Sequence, residues 1–170
     1  MKRCFKIRWS AIRHKLENEY LAESLRGHIK YFATSYNKYH DNEGRASILL
    51  DGKEIIEGSY CEQWSKVHLL PKDENFTHKI RRLDEFPIMD DIALQCGQFD
   101  QRCFYRAFDE FDNQSIEKSL SSENAIVRVF AILDRRIGKR RLLSMKDSVH
   151  NEGEVFWTFF NIRVTAENII

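Results

Sequence analysis

Few residues of this 170-residue chain combine a reactive type with a useful spacing. Asp41 stands ten residues before the tripeptide Asp51-Gly52-Lys53. Two carboxylates on a divalent ion, with a lysine near the attacking water, are the parts of a metal-dependent nuclease site. Asp-Gly is also a strong signal for a tight hairpin turn, which would place Lys53 at an exposed tip. The sequence favours the turn, and nuclease activity through Asp41, Asp51 and Lys53 is kept as a third hypothesis.

The other reactive side chains predict no catalytic or metal site. His40 and Asp41 are adjacent in a polar stretch, and neighbouring side chains on a loop usually point apart. There is no glycine-rich phosphate loop and no Gly-x-Ser-x-Gly motif. The cysteines lack the close paired spacing of structural zinc sites, so we expect free thiols at Cys4, Cys61, Cys96 and Cys103. The sequence therefore predicts a protein that is not an enzyme and needs no metal or cofactor.

Charge along the chain reverses sign late in the sequence, although the formal net charge is only +1. The acidic segment, residues 84–123, carries ten carboxylates: Asp84, Glu85, Asp90, Asp91, Asp100, Asp109, Glu110, Asp112, Glu117 and Glu123. The basic segment, residues 125–147, carries seven cations: Arg128, Arg135, Arg136, Lys139, Arg140, Arg141 and Lys146. A concentrated field of one sign attracts a partner of the opposite sign.

The helix dipole explains only part of the acidic segment. Asp90 and Asp91 fall where a helix should begin, and carboxylates are favourable there. Asp109, Glu110 and Asp112 fall near the end of their predicted helix, where the dipole disfavours them. Either an electropositive partner or the basic segment must compensate these three charges, and both alternatives are open.

The basic segment also has two interpretations. Its densest part holds Arg135, Arg136, Lys139, Arg140 and Arg141. Cations of this density can contact the phosphates of a nucleic acid. They can equally form a solvated helix end that complements the dipole, and the absence of aromatic residues within the run favours this interpretation.

Composition predicts one ordinary soluble domain over residues 1–170. Hydrophobic residues make up 42% and charged residues 31% of the chain, as in globular proteins. No apolar run approaches the roughly 20 residues of a membrane span, and no apolar stretch follows the basic start as in a signal peptide. We therefore expect a cytoplasmic protein that does not contact a membrane.

The predicted fold class is α+β, with a small N-terminal αβββ part over about 1–58 and a helical part over about 85–170. Apolar residues at helical spacing follow Ser10, and Gly27 is expected to end that helix. A strand then begins at Ile29, and two further strands flank the Asp51-Gly52 turn, which gives an antiparallel β-meander.

The C-terminal half shows mainly helical spacing. Pro87 suits the first turn of a helix, and Phe104, Phe108 and Phe111 form an apolar stripe. A short helix is predicted at Ser115–Leu120. Another begins at Ala125 and is expected to end near Gly138. The aromatic stretch from Val155 to Val164 suits a last helix but leaves a strand possible, and residues 60–84 give no clear pattern.

Two stretches carry a resemblance to a known family: Arg8-Trp9-Ser10, and Ile116-Glu117-Lys118-Ser119-Leu120 leading into Leu133-Asp134-Arg135-Arg136-Ile137-Gly138-Lys139-Arg140. With Asp41 and Gly44-Arg45-Ala46 they resemble a small uncharacterised bacterial family of similar length, and the match spans nearly the whole chain. The resemblance carries no activity. The family's compact form is similar in kind to single-domain immunity proteins that neutralise bacterial competition toxins.

The leading functional prediction is an intracellular immunity protein that binds and blocks a cognate basic toxin, a nuclease. Carboxylates standing in for phosphates would occlude the toxin's active site. Trp64, Phe99 and Tyr105 are candidate aromatic anchors, and for each of them a place in the core is an equal alternative. The predicted partner-binding residues are Asp109, Glu110, Asp112, Asp90, Asp91 and Tyr105. The alternative is a nucleic-acid-binding or regulatory protein that uses the Arg-rich run 135–141.

Overall fold

The computed structural model describes residues 8–35, 44–59 and 89–169. It has an N-terminal helix, a three-stranded antiparallel sheet and a helical C-terminal half. The predicted α+β class is therefore confirmed. Residues 60–84, which gave no clear pattern, lie outside the described residues.

The N-terminal helix is shorter than predicted. Helix α1, Trp9–His14, continues directly into a π-helical turn, Lys15–Tyr20. The helix ends at Tyr20 because Leu21 turns into an extended conformation and forms a β-bridge with Asp134. The prediction that Gly27 ends this helix is wrong: after a 3-10 turn, Glu23–Leu25, Gly27 takes a φ of 87° in the turn before the first strand.

The sheet consists of β1, Ile29–Ser35, β2, Gly44–Leu50, and β3, Lys53–Ser59, in the order β1-β2-β3. Both neighbouring pairs are antiparallel. Asp51 and Gly52 join β2 to β3 with φ angles of 50° and 81°, and a tight type I′ turn needs positive φ at both positions. The predicted hairpin is confirmed.

Helices make up the C-terminal half. They are α2, Asp91–Gln95, α3, Gln101–Asp112, α4, Ile116–Leu120, α5, Ala125–Leu133, α6, Lys139–Met145, and α7, Glu154–Ala166, with a 3-10 turn at Val149–Asn151. Each helix in the described ranges is too short or too polar to cross a membrane.

Three predicted helix boundaries can be compared with these bounds. The helix over residues 116–120 is confirmed, with Ser115 as its N-cap. The prediction that α5 ends near Gly138 is wrong, because Asp134 already follows it in an extended conformation and Gly138 precedes α6. The last aromatic stretch, for which a helix and a strand were both possible, forms helix α7.

Helix α5 lies at the centre of the core, and each of its residues except Arg128 is buried. Such a helix is apolar on all sides because other elements cover it all round. Phe130 contacts the rings of Phe104 and Phe111 on α3, each with centroids 5.8 Å away, and the ring of Tyr31 on β1 at 5.6 Å. The apolar stripe predicted on α3 is therefore buried, and the sheet packs on the same core.

Candidate functional site

Several carboxylates of the acidic segment accept hydrogen bonds from backbone N–H groups. Asp90 is the N-cap of α2 and accepts from the N–H of Ala93 at 2.9 Å. Asp91 accepts from the N–H of Val155 at 3.1 Å and so caps α7 from another part of the chain. The buried Asp100 caps α3 through the N–H groups of residues 102 and 103. Asp90 thus caps the helix at whose start it was expected, and Asp91 caps a second helix, so both predicted partner contacts have structural roles.

Asp112 is tied to the N-terminal helix. Its side chain is 16% exposed and accepts from the Lys15 Nζ at 2.9 Å, and the Tyr20 hydroxyl donates a short hydrogen bond to it. Burial and this hydrogen bond raise the pKa of Tyr20 to about 12. The negative charge at the end of α3 is therefore partly compensated within the chain, by Lys15 rather than by the basic segment.

Asp109 and Glu110 lie on the exposed side of α3, opposite the buried phenylalanines, as the helical spacing predicts. Their hydrogen-bond partners are neutral: Asn113 Nδ2 lies 3.4 Å from Asp109 Oδ1, and Ser122 Oγ lies 2.5 Å from Glu110 Oε1. Glu110 and the exposed Glu123 line one polar groove of about 400 Å³, which Lys118 also lines. We call Asp109, Glu110 and Glu123 the acidic face.

The three predicted aromatic anchors differ in position. Phe99 is 1% exposed and stacks on Phe104 with centroids 5.7 Å apart. Phe99 therefore belongs to the core, which is one of the two alternatives left open for it. Tyr105 is half-buried with its ring edge-on to Trp9 at 5.9 Å, and burial raises its pKa. Trp64 lies outside the described residues.

Arg136 is held by a buried carboxylate. The side chain of Asp134 is 0% exposed and accepts from Arg136 Nε at 3.0 Å and Nη2 at 2.8 Å. Hydrogen bonding to Asp134 raises the pKa of Arg136. The guanidinium also lies over the rings of Tyr20 and Phe111, at 5.2 and 5.3 Å from their centroids. This arginine is therefore part of the packed structure.

An ion pair joins the acidic and basic segments at the surface, but it does not involve Asp109, Glu110 or Asp112, the three carboxylates whose compensation was left open. Arg141 Nη1 lies 3.1 Å from the Glu117 Oε1, and both side chains are largely exposed. Exposed pairs of this kind contribute little to stability. Arg135 and Arg140, in contrast, are exposed and make no side-chain polar contact with any part of the chain that the structure describes.

A second groove of about 530 Å³ lies where the basic segment meets the end of α7. We call it the basic groove, and its charged lining is Glu23, Arg135, Arg136, Lys139, Arg163 and Glu167. Arg163 is 3% exposed and donates to Ser24 Oγ at 3.1 Å, Glu167 Oε1 at 2.7 Å and the Ile137 carbonyl at 3.0 Å. Burial lowers the pKa of Arg163.

Two residues of the nuclease hypothesis lie on an exposed turn. Asp51 and Lys53 lie exposed at the hairpin, where Asp51 Oδ1 is 2.6 Å from His28 Nδ1. His40 and Asp41 lie outside the described residues. Within ranges 8–35, 44–59 and 89–169, no three His, Cys, Asp or Glu side chains are grouped to hold a metal ion.

Two of the four cysteines can be placed. Cys96 and Cys103 are free thiols and half-buried. Burial raises the pKa of the Cys103 thiol to about 12, so this thiol is not an activated nucleophile. Cys4 and Cys61 lie outside the described residues.

Comparison with known proteins places the chain in a family. The model of the SF0329 protein family matches residues 8–164, so the chain belongs to that family. No curated protein and no solved structure matches it. The expectation that one family covers nearly the whole chain is thus confirmed. The match brings no activity with it and does not relate the family to immunity proteins.

Proposed function

We propose that this protein binds and neutralises a basic protein partner, a bacterial toxin whose nuclease active site is electropositive. The acidic face would cover that site. One observation carries the proposal: Asp109 and Glu110 are exposed carboxylates whose hydrogen-bond partners in the described ranges are uncharged. Their charge is therefore available to a partner.

The position of these carboxylates on α3 strengthens the argument. They lie in the last turn of a 12-residue helix, where the negative end of the dipole makes further negative charge unfavourable by about 0.3–1 kcal/mol each at an exposed site. A cationic partner would be attracted by both the side chains and the helix end. Because the opposite side of α3 is buried in the core, the carboxylates are held on a rigid element before the partner arrives.

The groove beside the acidic face suits the side chains of such a partner. Its polar lining includes Gln114, Ser121, Ser122 and Asn124, and the two carboxylates Glu110 and Glu123 outnumber its one cation, Lys118. Amide and hydroxyl oxygens accept hydrogen bonds from arginine and lysine, and the carboxylates supply the charge. We therefore expect an arginine or lysine of the partner to enter this groove.

The proposed contact set is smaller than the predicted one. Asp90, Asp91 and Asp112 are bound to backbone N–H groups or to Lys15 and Tyr20. Replacing them would disturb the fold and so could not report binding. Asp109, Glu110 and Glu123 can be replaced without removing a cap or a charged partner.

Co-expression tests this proposal. The product of the reading frame next to this gene would be expressed alone and together with the chain, and growth and association kinetics would be measured. We expect the wild type to restore growth, and the double variant Asp109→Lys/Glu110→Lys to lose protection because its association rate falls and its salt dependence weakens. The control Glu19→Lys/Asp147→Lys makes the same change in net charge at exposed positions elsewhere.

Two results would count against the proposal. One is a neighbouring product that is harmless or does not bind the chain. The other is a double variant that protects and associates as well as the wild type while its thermal unfolding is unchanged, which would exclude the acidic face from the contact.

A further inference from the structure

Two large apolar side chains of the C-terminal half border the same surface recess. Leu143 on α6 is 54% exposed and Trp157 on α7 is 40% exposed, and both line a recess of about 100 Å³ that we call the apolar recess. The ring of His150 lies 5.9 Å from that of Trp157 and belongs to the same lining. Single exposed apolar side chains are ordinary, but a pair around a concave apolar lining marks an interaction site.

The remaining lining of the apolar recess comes largely from the core. Leu142, Val149 and Phe160 line it and are buried, so its shape is held in place before a ligand arrives. Asn161 lines it too, and its Nδ2 is buried without a hydrogen-bond partner within the described residues. A buried amide donor without an acceptor is unfavourable, and a ligand that brings a carbonyl oxygen would satisfy it.

The charge around the apolar recess is positive. Among the described residues, its lining contains Lys146 and His150 but no carboxylate. Arg140 and Lys146 lie three positions before and three positions after Leu143, so they flank it on one face of α6 and its C-cap. Both cations are exposed, and neither side chain makes a polar contact within the described ranges. The exposed Asp147 lies outside the lining.

Size and charge together select the occupant. A volume of about 100 Å³ is below the roughly 300–1,000 Å³ of small-molecule sites, and it suits one apolar side chain of a partner protein. The unpaired cations attract carboxylates. A symmetric contact between two copies of this chain would bring the same cations towards one another, which is unfavourable.

We propose that the apolar recess is a docking site for an acidic segment of a partner protein, which inserts one apolar side chain beside Leu143 and Trp157. Carboxylates of that segment lie near Arg140 and Lys146, and one of its backbone carbonyls accepts from Asn161 Nδ2. Tryptophan and arginine are among the residue types that carry most of the binding energy at interfaces. The site shares no residue with the groove beside the acidic face and does not depend on the toxin proposal.

Titration of the full chain with a synthetic acidic peptide tests the site. The peptide has blocked ends and one leucine flanked on both sides by glutamates. One control peptide has alanine in place of the leucine, and another has lysines in place of the glutamates. Fluorescence anisotropy of the labelled peptides gives the Kd. Tryptophan emission locates the bound peptide, because Trp157→Phe should remove the change in emission at saturation.

Two pairs of variants separate the recess from the rest of the surface. Leu143→Ala is matched by Ile92→Ala, which truncates an aliphatic residue of α2 that is 46% exposed and lies outside the recess. Lys146→Glu is matched by Lys53→Glu, which makes the same change in net charge at the exposed hairpin. Thermal unfolding checks that each variant is folded.

We expect the wild type to bind the acidic leucine peptide and to bind both control peptides at least about tenfold more weakly. Leu143→Ala and Lys146→Glu should each lose about tenfold in affinity, equivalent to about 1.4 kcal/mol, whereas Ile92→Ala and Lys53→Glu should stay within about twofold. The proposal is overturned if the acidic peptide does not bind, or if the outside variants lose as much affinity as the recess variants.

Other occupants of the recess give different results. Sedimentation with vesicles of phosphatidylcholine and phosphatidylserine in equal parts tests a lipid surface, and light scattering tests self-association. Binding to the vesicles without binding to the acidic peptide would overturn the proposal. A dimer that Leu143→Ala converts to a monomer would overturn it as well, because the recess would then be covered by a second copy.

Discussion

In the acidic segment, Asp90, Asp91 and Asp100 accept hydrogen bonds from backbone N–H groups. In the basic segment, the cations instead bond to side chains or to a carbonyl, or are exposed. The difference follows from chemistry. A helix begins with N–H groups that need an acceptor, and a short carboxylate supplies one. Arginine and lysine have no acceptor and cannot fill that role. A count of charged residues along the sequence therefore overestimates the number of accessible carboxylates more than the number of accessible cations.

Neighbouring residues repeat this comparison on a smaller scale. Asp109 and Asp112 lie on one helix, but of the two only Asp112 has a cationic partner within the described residues, Lys15 of the N-terminal helix. Arg135 and Arg136 are adjacent, but only Arg136 pairs with a buried carboxylate. Within each pair, a substitution of the first residue is therefore a control for the same substitution of the second.

The largest effect is expected for the two arginines. Arg136→Ala leaves the buried Asp134 carboxylate without its cation and should lower the free energy of unfolding by about 3 kcal/mol. Arg135→Ala should change it by no more than about 0.5 kcal/mol, because the side chain is exposed. Urea titrations of both variants measure the difference. Equal losses would mean that the pair with Asp134 does not distinguish the two positions.

A smaller effect is expected for the two aspartates. Asp112→Asn weakens the bonds to Lys15 and Tyr20 and should cost about 2 kcal/mol, as for hydrogen bonds to charged groups. Asp109→Asn should stay within about 0.5 kcal/mol. The same urea titration applies, and an Asp109 variant as unstable as the Asp112 variant would show that the exposed carboxylate also supports the fold.

The smallest effect concerns pH. The pKa of Tyr20 is raised to about 12 in the folded chain, whereas an unfolded tyrosine titrates near about 10. Between these values the unfolded state loses its proton first, so stability should fall as pH rises from about 10 to about 12. Tyr20→Phe should make that fall less steep in urea midpoints measured across this range. If the urea midpoint of Tyr20→Phe fell as steeply with pH as that of the wild type, the Tyr20 hydroxyl would not cause the loss of stability.

Local signals in the sequence predicted the local parts of the structure. Asp51-Gly52 predicted a turn because positive φ angles are a property of those two residues. The spacing of Phe104, Phe108 and Phe111 predicted both a buried stripe and an exposed Asp109, since a helix fixes which side chains share a face. The same rule predicted that Glu110, which belongs to the acidic face together with Asp109, is exposed.

Contacts between distant residues could not be predicted in this way. Nothing near Leu21 in the sequence shows that it bridges to Asp134 and ends the first helix there. The sequence pattern predicts a helix end at Gly27 and another at Gly138. In the structure, Gly27 lies in a later turn and Gly138 precedes a helix. An arginine within an aromatic stretch indicates a buried charge, so the burial of Arg163 could have been predicted from the sequence.

The bond from Asp91 to Val155 has a consequence for unfolding. It joins residues 64 positions apart, and Gly153 passes so close beneath the carboxylate that an added Cβ would lie 2.9 Å from Asp91 Cγ. The first turn of α7 therefore lacks this cap unless α2 is docked, so local opening of one should expose the other. Hydrogen exchange at the Val155 amide would then report the detachment of α2, which is separated from α7 along the chain by four other helices.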